Sequence, residues 1–270
     1  MIEELALDGK AVVITGGSHG IGRGMALACA EAGAGVVIAA RGQERIDEVV
    51  GEIRAAGGRA IGVSTDVTNR DQVEALVAAC VREYGKIDAM FAHAGGSAGG
   101  ITSDAPFWEY PDEAFESAIR GNLMSSFYSC RAAAKAMVDQ GTGGSLVMTA
   151  TAGAVRASQR WAYATSKGAL LSMSRVLAGR LGPQGIRSNV LLPGMISTSE
   201  ATTDQERARR EQQGMFTPAG RTGVGADFGA LAVFLASDAS KYVTGQQFLV
   251  DGGMVNGGIA PPFYTPHHEW

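Results

Sequence analysis

A doubly wound α/β domain is the fold this sequence predicts, and three observations predict it. Seven short apolar runs recur along 270 residues, amphipathic helical stretches separate them, and glycine-containing motifs follow their carboxyl ends. The runs are Ala11–Thr15, Val36–Ala40, Ala60–Val63, Ala89–Ala92, Ser145–Thr149, Ser188–Leu192 and Phe248–Asp251. They are continuous rather than alternating, as in strands covered on both faces. Alternation with helices requires right-handed crossovers, and so a central, mainly parallel seven-stranded sheet flanked by helices. The clearest helical stretches are Glu44–Ala56, Asp71–Tyr84 and Asp112–Val138. No linker, repeat or low-complexity tract divides residues 1–270, so one domain is expected, near the upper size limit of a single core.

The first run leads into Thr15-Gly16-Gly17-Ser18-His19-Gly20-Ile21-Gly22, with a helix expected from about Ile21. Strand, glycine loop and helix, in that order, suit a pyrophosphate. Glycine lets the backbone approach the phosphates, whose charge then lies against the first amides and the positive end of the helix. The glycine spacing differs from the commonest dinucleotide fingerprint, and a plain glycine-rich turn is the alternative in a chain with 38 glycines. Far downstream, Tyr163 and Lys167 stand four residues apart at the start of a helix-compatible run, which puts them on one face. A free phenol titrates near ~10, and a cation held beside it favours the phenolate. Such a pair can move a proton onto or off an oxygen.

Together, these two motifs resemble the classical short-chain dehydrogenase/reductase family, and the resemblance extends over nearly the whole chain. Further matching positions are Asp66-Val67, Ala94-Gly95, Asn122, Pro193-Gly194 with Thr198, and Asp251-Gly252-Gly253. The resemblance implies a Rossmann-type fold and a nicotinamide dinucleotide held by Thr15, Gly16, Ser18, His19, Gly20, Ile21, Gly22, Arg41, Asp66, Val67, Ala94, Gly95, Tyr163, Lys167, Pro193, Gly194, Ile196 and Thr198. It assigns Tyr163 as proton donor or acceptor and Lys167 as the group that lowers its pKa and holds the nicotinamide ribose. Asn122 would anchor a water relay. It also implies a homotetramer whose terminal segments touch neighbouring subunits.

Cofactor choice is read after the second strand, where Ala39-Ala40-Arg41 stands. A carboxylate there would bind ribose hydroxyls and repel a 2′-phosphate; a guanidinium attracts it, so NADP(H) is favoured over NAD(H). Asp66 has a helix cap as its alternative reading.

Two positions depart from the family pattern. Where relatives carry a catalytic serine hydroxyl, this chain has Ala150, between Thr149 and Thr151. Three readings stay open: a threonine, with Thr151 preferred, turns inward; the substrate or another side chain supplies the hydrogen bond; or redox chemistry is weak or replaced. The last leaves a dinucleotide-binding protein with a decayed site, or a non-redox lyase or isomerase using Tyr163 and Lys167 as acid and base. After the fourth run, Ala92-His93-Ala94-Gly95 replaces the usual Asn-Asn-Ala-Gly. His93 is then an inert loop residue or a polar group near the cofactor.

Recognition of substrate is expected from a lid near 199–220, from the loop after the fifth run and from a tail, 254–270, that either lines an adjoining pocket or frays. Trp108, Trp161, Met195, Met215 and Phe216 are apolar groups near the expected mouth, each with core packing as its more common reading, and they suggest an uncharged hydrophobic ketone or secondary alcohol. A net charge of -4 gives no footprint for nucleic acid or an anionic membrane. The acidic start lacks a signal-peptide pattern and no apolar stretch could span a bilayer, so a cytoplasmic protein is expected. Cys29, Cys80 and Cys130 sit in apolar helical contexts, as reduced core thiols do. No metal is expected; of the four histidines, His267 and His268 could bind one adventitiously.

Overall fold

The structure is a computed structural model that describes residues 3–96, 102–156, 158, 160–199 and 201–256. Its seven-stranded sheet is built from β1 (Ala11–Thr15), β2 (Gly35–Ala40), β3 (Arg59–Ser64), β4 (Ala89–Ala92), β5 (Gly144–Thr149), β6 (Ile186–Pro193) and β9 (Gln247–Val250). All six pairings are parallel, in the order β3-β2-β1-β4-β5-β6-β9. All seven apolar runs therefore became strands.

The burial explains why those runs are continuous. In β1, Val12 and Ile14 enter the core on one face, with α1 (Gly20–Glu31), α2 (Gln43–Ala55) and α8 (Gly229–Ala236). Ala11 and Val13 enter the core on the other face, with α3 (Arg70–Tyr84), α5 (Ser125–Gln140) and α6 (Trp161–Leu181). A strand sandwiched in this way cannot alternate apolar with polar residues. In α2 the amphipathic spacing puts Ile46, Val49, Val50 and Ile53 on the buried side. Asn69 caps α3 by accepting from the amides of Asp71 and Gln72, and Gly85 ends that helix at φ 77°.

The stretch expected as one helix from Asp112 to Val138 is two helices joined by a different turn. Following α4 (Asp112–Ala118), a π-helical turn spans Ile119–Met124 before α5 begins. Sequence periodicity does not reveal such a bulge, yet it carries Asn122. Two short strands, β7 (Ile196–Ser197) and β8 (Gly223–Val224), pair on either side of the segment expected as a lid, and α7 (Asp204–Gly214) lies between them in sequence. Thr203 and Glu206 form a capping box that starts α7, whose charged residues largely face water. Cys29, Cys80 and Cys130 are free and buried. Among the described residues, no helix is long and apolar enough to cross a membrane. Most of the expected tail, including His267 and His268, lies outside the described residues.

Candidate active site

The chain reverses its direction of sheet growth between β1 and β4, and a crevice opens there beyond the carboxyl ends of the strands. Local sequence makes it. The Gly16 amide donates to Ala39 O, which ties the turn after β1 to β2. Gly16 has φ 72°, a conformation that costs other residues strain, and a Cβ on Gly22 would stand 2.1 Å from Gly16 O. Helix α1 can therefore begin against the loop only with glycine at Gly22. The buried Thr15 hydroxyl donates to Phe91 O and accepts from the amides of His93 and Ala94, fixing the turn after β4 to β1.

The resulting cleft has a volume of about 840 Å³. Of the cofactor positions expected from sequence, Gly16, Ser18, His19, Ile21, Arg41, Asp66, Val67, Ala94, Gly95, Pro193, Gly194, Ile196 and Thr198 line it, together with Tyr163, Lys167 and Thr151. Thr15, Gly20 and Gly22 shape it from behind. Asp66 engages its own turn, its carboxylate accepting from the Thr68 amide and hydroxyl, and the cap of α3 is Asn69 instead. Two cations in the lining were not singled out from sequence, Arg45 and Arg160. Both signals were present, since Arg45 follows Arg41 by four residues and Arg160 precedes Tyr163 by three.

The residues fit a dinucleotide. Glycine surfaces at Gly16 and Gly95 leave the backbone bare where phosphate and ribose must approach, and a Cβ on Gly95 would come within 2.7 Å of both Asn122 Oδ1 and Lys167 Nζ. Arg41 and Arg45 stand at the β2 end, and Tyr163 and Lys167 at the β5 end, of one cleft.

At the Tyr163 end, the pair expected from spacing does share one wall. Its electrostatics differ from expectation. Lys167, only 3% exposed, donates to Thr149 O at 2.7 Å, and burial pushes the ammonium down to about 8. Burial also pushes the Tyr163 phenol above its ordinary value, and the cation that opposes this rise is Arg160, not Lys167. The Arg160 guanidinium carbon lies 4.6 Å from the centre of the Tyr163 ring.

Asn122 is fully buried and lies behind the cleft wall. Its amide nitrogen donates to Ala118 O at 3.0 Å and to Ser166 Oγ at 3.1 Å, and its Oδ1 accepts from the Gly96 amide at 2.8 Å. The side chain thus braces α6 against the π turn and the loop after β4.

Ala150 lines the cleft between the two threonines. Thr149 continues β5, as expected, and its hydroxyl is paired with His93 Nδ1 at 3.1 Å. Thr151 Oγ1 accepts from the Gly153 amide at 3.2 Å, which leaves its own proton free to donate into the cleft. His93 lines the cleft as a half-buried ring whose pKa falls to about 3, through burial first and then the charges of Lys167 and His19. Burial and the neighbouring charges thus disfavour its imidazolium form, and it stands in the wall as a polar group.

The apolar groups weighed for the mouth stand outside the cleft lining. None of Trp108, Trp161, Met195, Met215 and Phe216 lines the cleft. Trp161 packs instead among Phe107, Tyr110 and Phe115, with ring centres 5.0, 4.1 and 5.8 Å away, and Trp108 is 81% exposed.

A doubly wound sheet with a glycine-walled crevice and a Tyr–Lys pair at its far end defines a dinucleotide-binding α/β protein. The family model described as enoyl-(acyl carrier protein) reductase matches residues 16–255. The chain is 38% identical over 251 residues to L-rhamnose 1-dehydrogenase (NAD(P)(+)) of Azotobacter vinelandii, covering 91% of this chain and 96% of that protein. It is 32% identical to 3-oxoacyl-[acyl-carrier-protein] reductase of Thermotoga maritima, covering 93% and 100% of the two chains. A crystal structure of a short-chain type dehydrogenase/reductase from Mycobacterium marinum superimposes with a TM-score of 0.84 at 36% identity, over 94% of this chain and 98% of that one. The protein belongs to the classical short-chain dehydrogenase/reductase family.

Proposed function

We propose that this protein is an NADP(H)-dependent oxidoreductase acting on a ketone or secondary alcohol. The observation that carries the reading is one continuous cleft with Arg41 and Arg45 at one end and Tyr163 and Lys167 at the other. Two guanidiniums favour the 2′-phosphate of NADP(H), because planar donors match phosphate oxygens and no carboxylate replaces them at Arg41. Glu44 also borders that end, so the preference rests on the two arginines together. The dehydrogenase and reductase relatives support redox chemistry over a lyase or a purely binding role.

A bound nicotinamide supplies or accepts the hydride. Tyr163 gives its hydroxyl proton to the substrate oxygen in reduction and, as phenolate, takes it back in oxidation. Lys167 holds its ammonium at the junction of Thr149 O and Gly95, where a cofactor ribose would lie. Thr151 donates to the substrate oxygen in place of the hydroxyl that Ala150 lacks. Around the reacting oxygen the walls are polar, formed by His93, Thr149, Thr151 and Arg160, which favours a hydroxylated substrate over a purely hydrophobic one. A homotetramer is part of the same proposal.

The test is a panel of ketones with NADPH, and of secondary alcohols and the sugar L-rhamnose with NADP+, followed by nicotinamide absorbance. Turnover of at least one compound, faster with the phosphorylated cofactor, is the expected result. Tight NADPH binding without turnover across the panel would identify a binding protein, and product formed with no absorbance change would identify a lyase or isomerase.

A further inference from the structure

We propose that Arg160 is the positioning residue for Tyr163: its guanidinium, laid on the face of the phenol ring, holds the ring against the cleft and favours the phenolate over the phenol. The inference rests on the proposed role of Tyr163 and extends it to a residue that no expectation had included.

The geometry is specific. Arg160 is the N-cap residue of α6 and Tyr163 the third residue of that helix, so one turn of backbone brings the two side chains together. The guanidinium carbon is 4.6 Å from the ring centre, well inside the roughly 6 Å within which a cation is attracted to a ring face. Both residues line the cleft. An aromatic face becomes more electron-rich when the phenol loses its proton, so the same contact strengthens on ionisation. Arg160 thereby lowers the cost of the charge that Tyr163 must carry.

The other groups around Tyr163 do not duplicate this. Lys167, on the same helix, directs its ammonium to Thr149 O. His93, from the loop after β4, is neutral and paired with the Thr149 hydroxyl. Among the described residues that line the cleft, β5 and the turn directly after it contribute the hydroxyls of Thr149 and Thr151 and the methyl of Ala150. The carboxylates in the cleft lining are Glu44 and Asp66, which follow β2 and β3 at the opposite end. Arg160 makes no ion pair among the described residues, so its charge is available to the ring.

In the oxidation direction, the alcohol O–H bond breaks and its proton passes to the Tyr163 oxygen while the carbinol hydride leaves for the oxidised nicotinamide. The phenolate fraction sets that rate below the Tyr163 midpoint. Losing a cation–π contact at a partly exposed site should lower the fraction, and the rate, about two- to fivefold.

Arg160→Met keeps the length of the stem and removes the charge, Arg160→Gln removes the charge with a polar end, and Arg160→Lys keeps a cation. The readout independent of turnover is ultraviolet titration of tyrosinate in the protein without cofactor, each variant subtracted from the same protein carrying Tyr163→Phe. The expected result is a Tyr163 midpoint moved to higher pH in Arg160→Met and Arg160→Gln and largely restored in Arg160→Lys, with the acid limb of alcohol oxidation moving in parallel. An unchanged midpoint in both neutral variants overturns the proposal, even if turnover falls. Absence of turnover in every protein would count against the proposed function, whereas the titration would still decide the role of Arg160.

Discussion

Replacing Lys167 with methionine should stabilise the protein at neutral pH while removing its activity. Burial lowers the ammonium from 10.5 to about 8, and at 1.36 kcal/mol per unit this corresponds to roughly 3 kcal/mol charged against the folded state. At 3% exposure, solvent screening offsets little of it. The substitution also removes the 2.7 Å bond to Thr149 O, a loss of about 1–2 kcal/mol. The variant should therefore exceed the wild type by about 1–2 kcal/mol at pH 7. Below about 8 both folded and unfolded wild-type chains carry the proton and the penalty is complete. Between about 8 and 10.5 only the unfolded chain retains it, so wild-type stability gains as pH rises. The difference should shrink through that window and reverse near its top. The buried thiols Cys29, Cys80 and Cys130, each pushed up to about 12 by burial, titrate in both proteins and cancel in the comparison. Urea unfolding of the two cofactor-free proteins at pH 7 and pH 10.5 measures it. A variant less stable than wild type at pH 7, or a difference independent of pH, would refute the reasoning.

Three further outcomes are expected. Thr151→Val should lower kcat about 100- to 1000-fold, as loss of an oxyanion donor does, and Ala150→Ser in that background should recover much of it; steady-state kinetics of the two variants decide whether Thr151 is the substitute. Arg41→Ala combined with Arg45→Ala should weaken NADPH binding roughly tenfold or more while leaving NADH nearly unchanged, as measured by fluorescence titration at fixed ionic strength. Gly22→Ala would force a Cβ to within 2.1 Å of Gly16 O, and nucleotide fluorescence should show binding of either cofactor lost.

Much of this molecule was legible in the sequence because its sheet is buried on both faces. Val12 and Ile14 serve one core, and Ala11 and Val13 the other, so β1 announces itself as an unbroken apolar run. The cleft was legible for a similar reason: Gly16 and Gly22 are demanded by backbone geometry, which few other residues tolerate. What stayed hidden depends on where side chains point. The π turn around Asn122 is invisible to a periodicity that differs by only one residue per turn. The partner of Lys167 is a backbone carbonyl, and carbonyls leave no mark in a sequence, so the bond to Thr149 O was not foreseen. Trp161 was open to a mouth or a core reading, and its packing with Phe107, Tyr110 and Phe115, a cluster set by tertiary structure, decides for the core.

The most direct test of the central claim compares wild type with Tyr163→Phe, which deletes one oxygen and leaves the ring beneath Arg160 in place. For any carbonyl compound that the wild type reduces with NADPH, the variant should still bind the cofactor and lose nearly all turnover. Turnover close to the wild-type rate would contradict the assignment of Tyr163 as the proton donor.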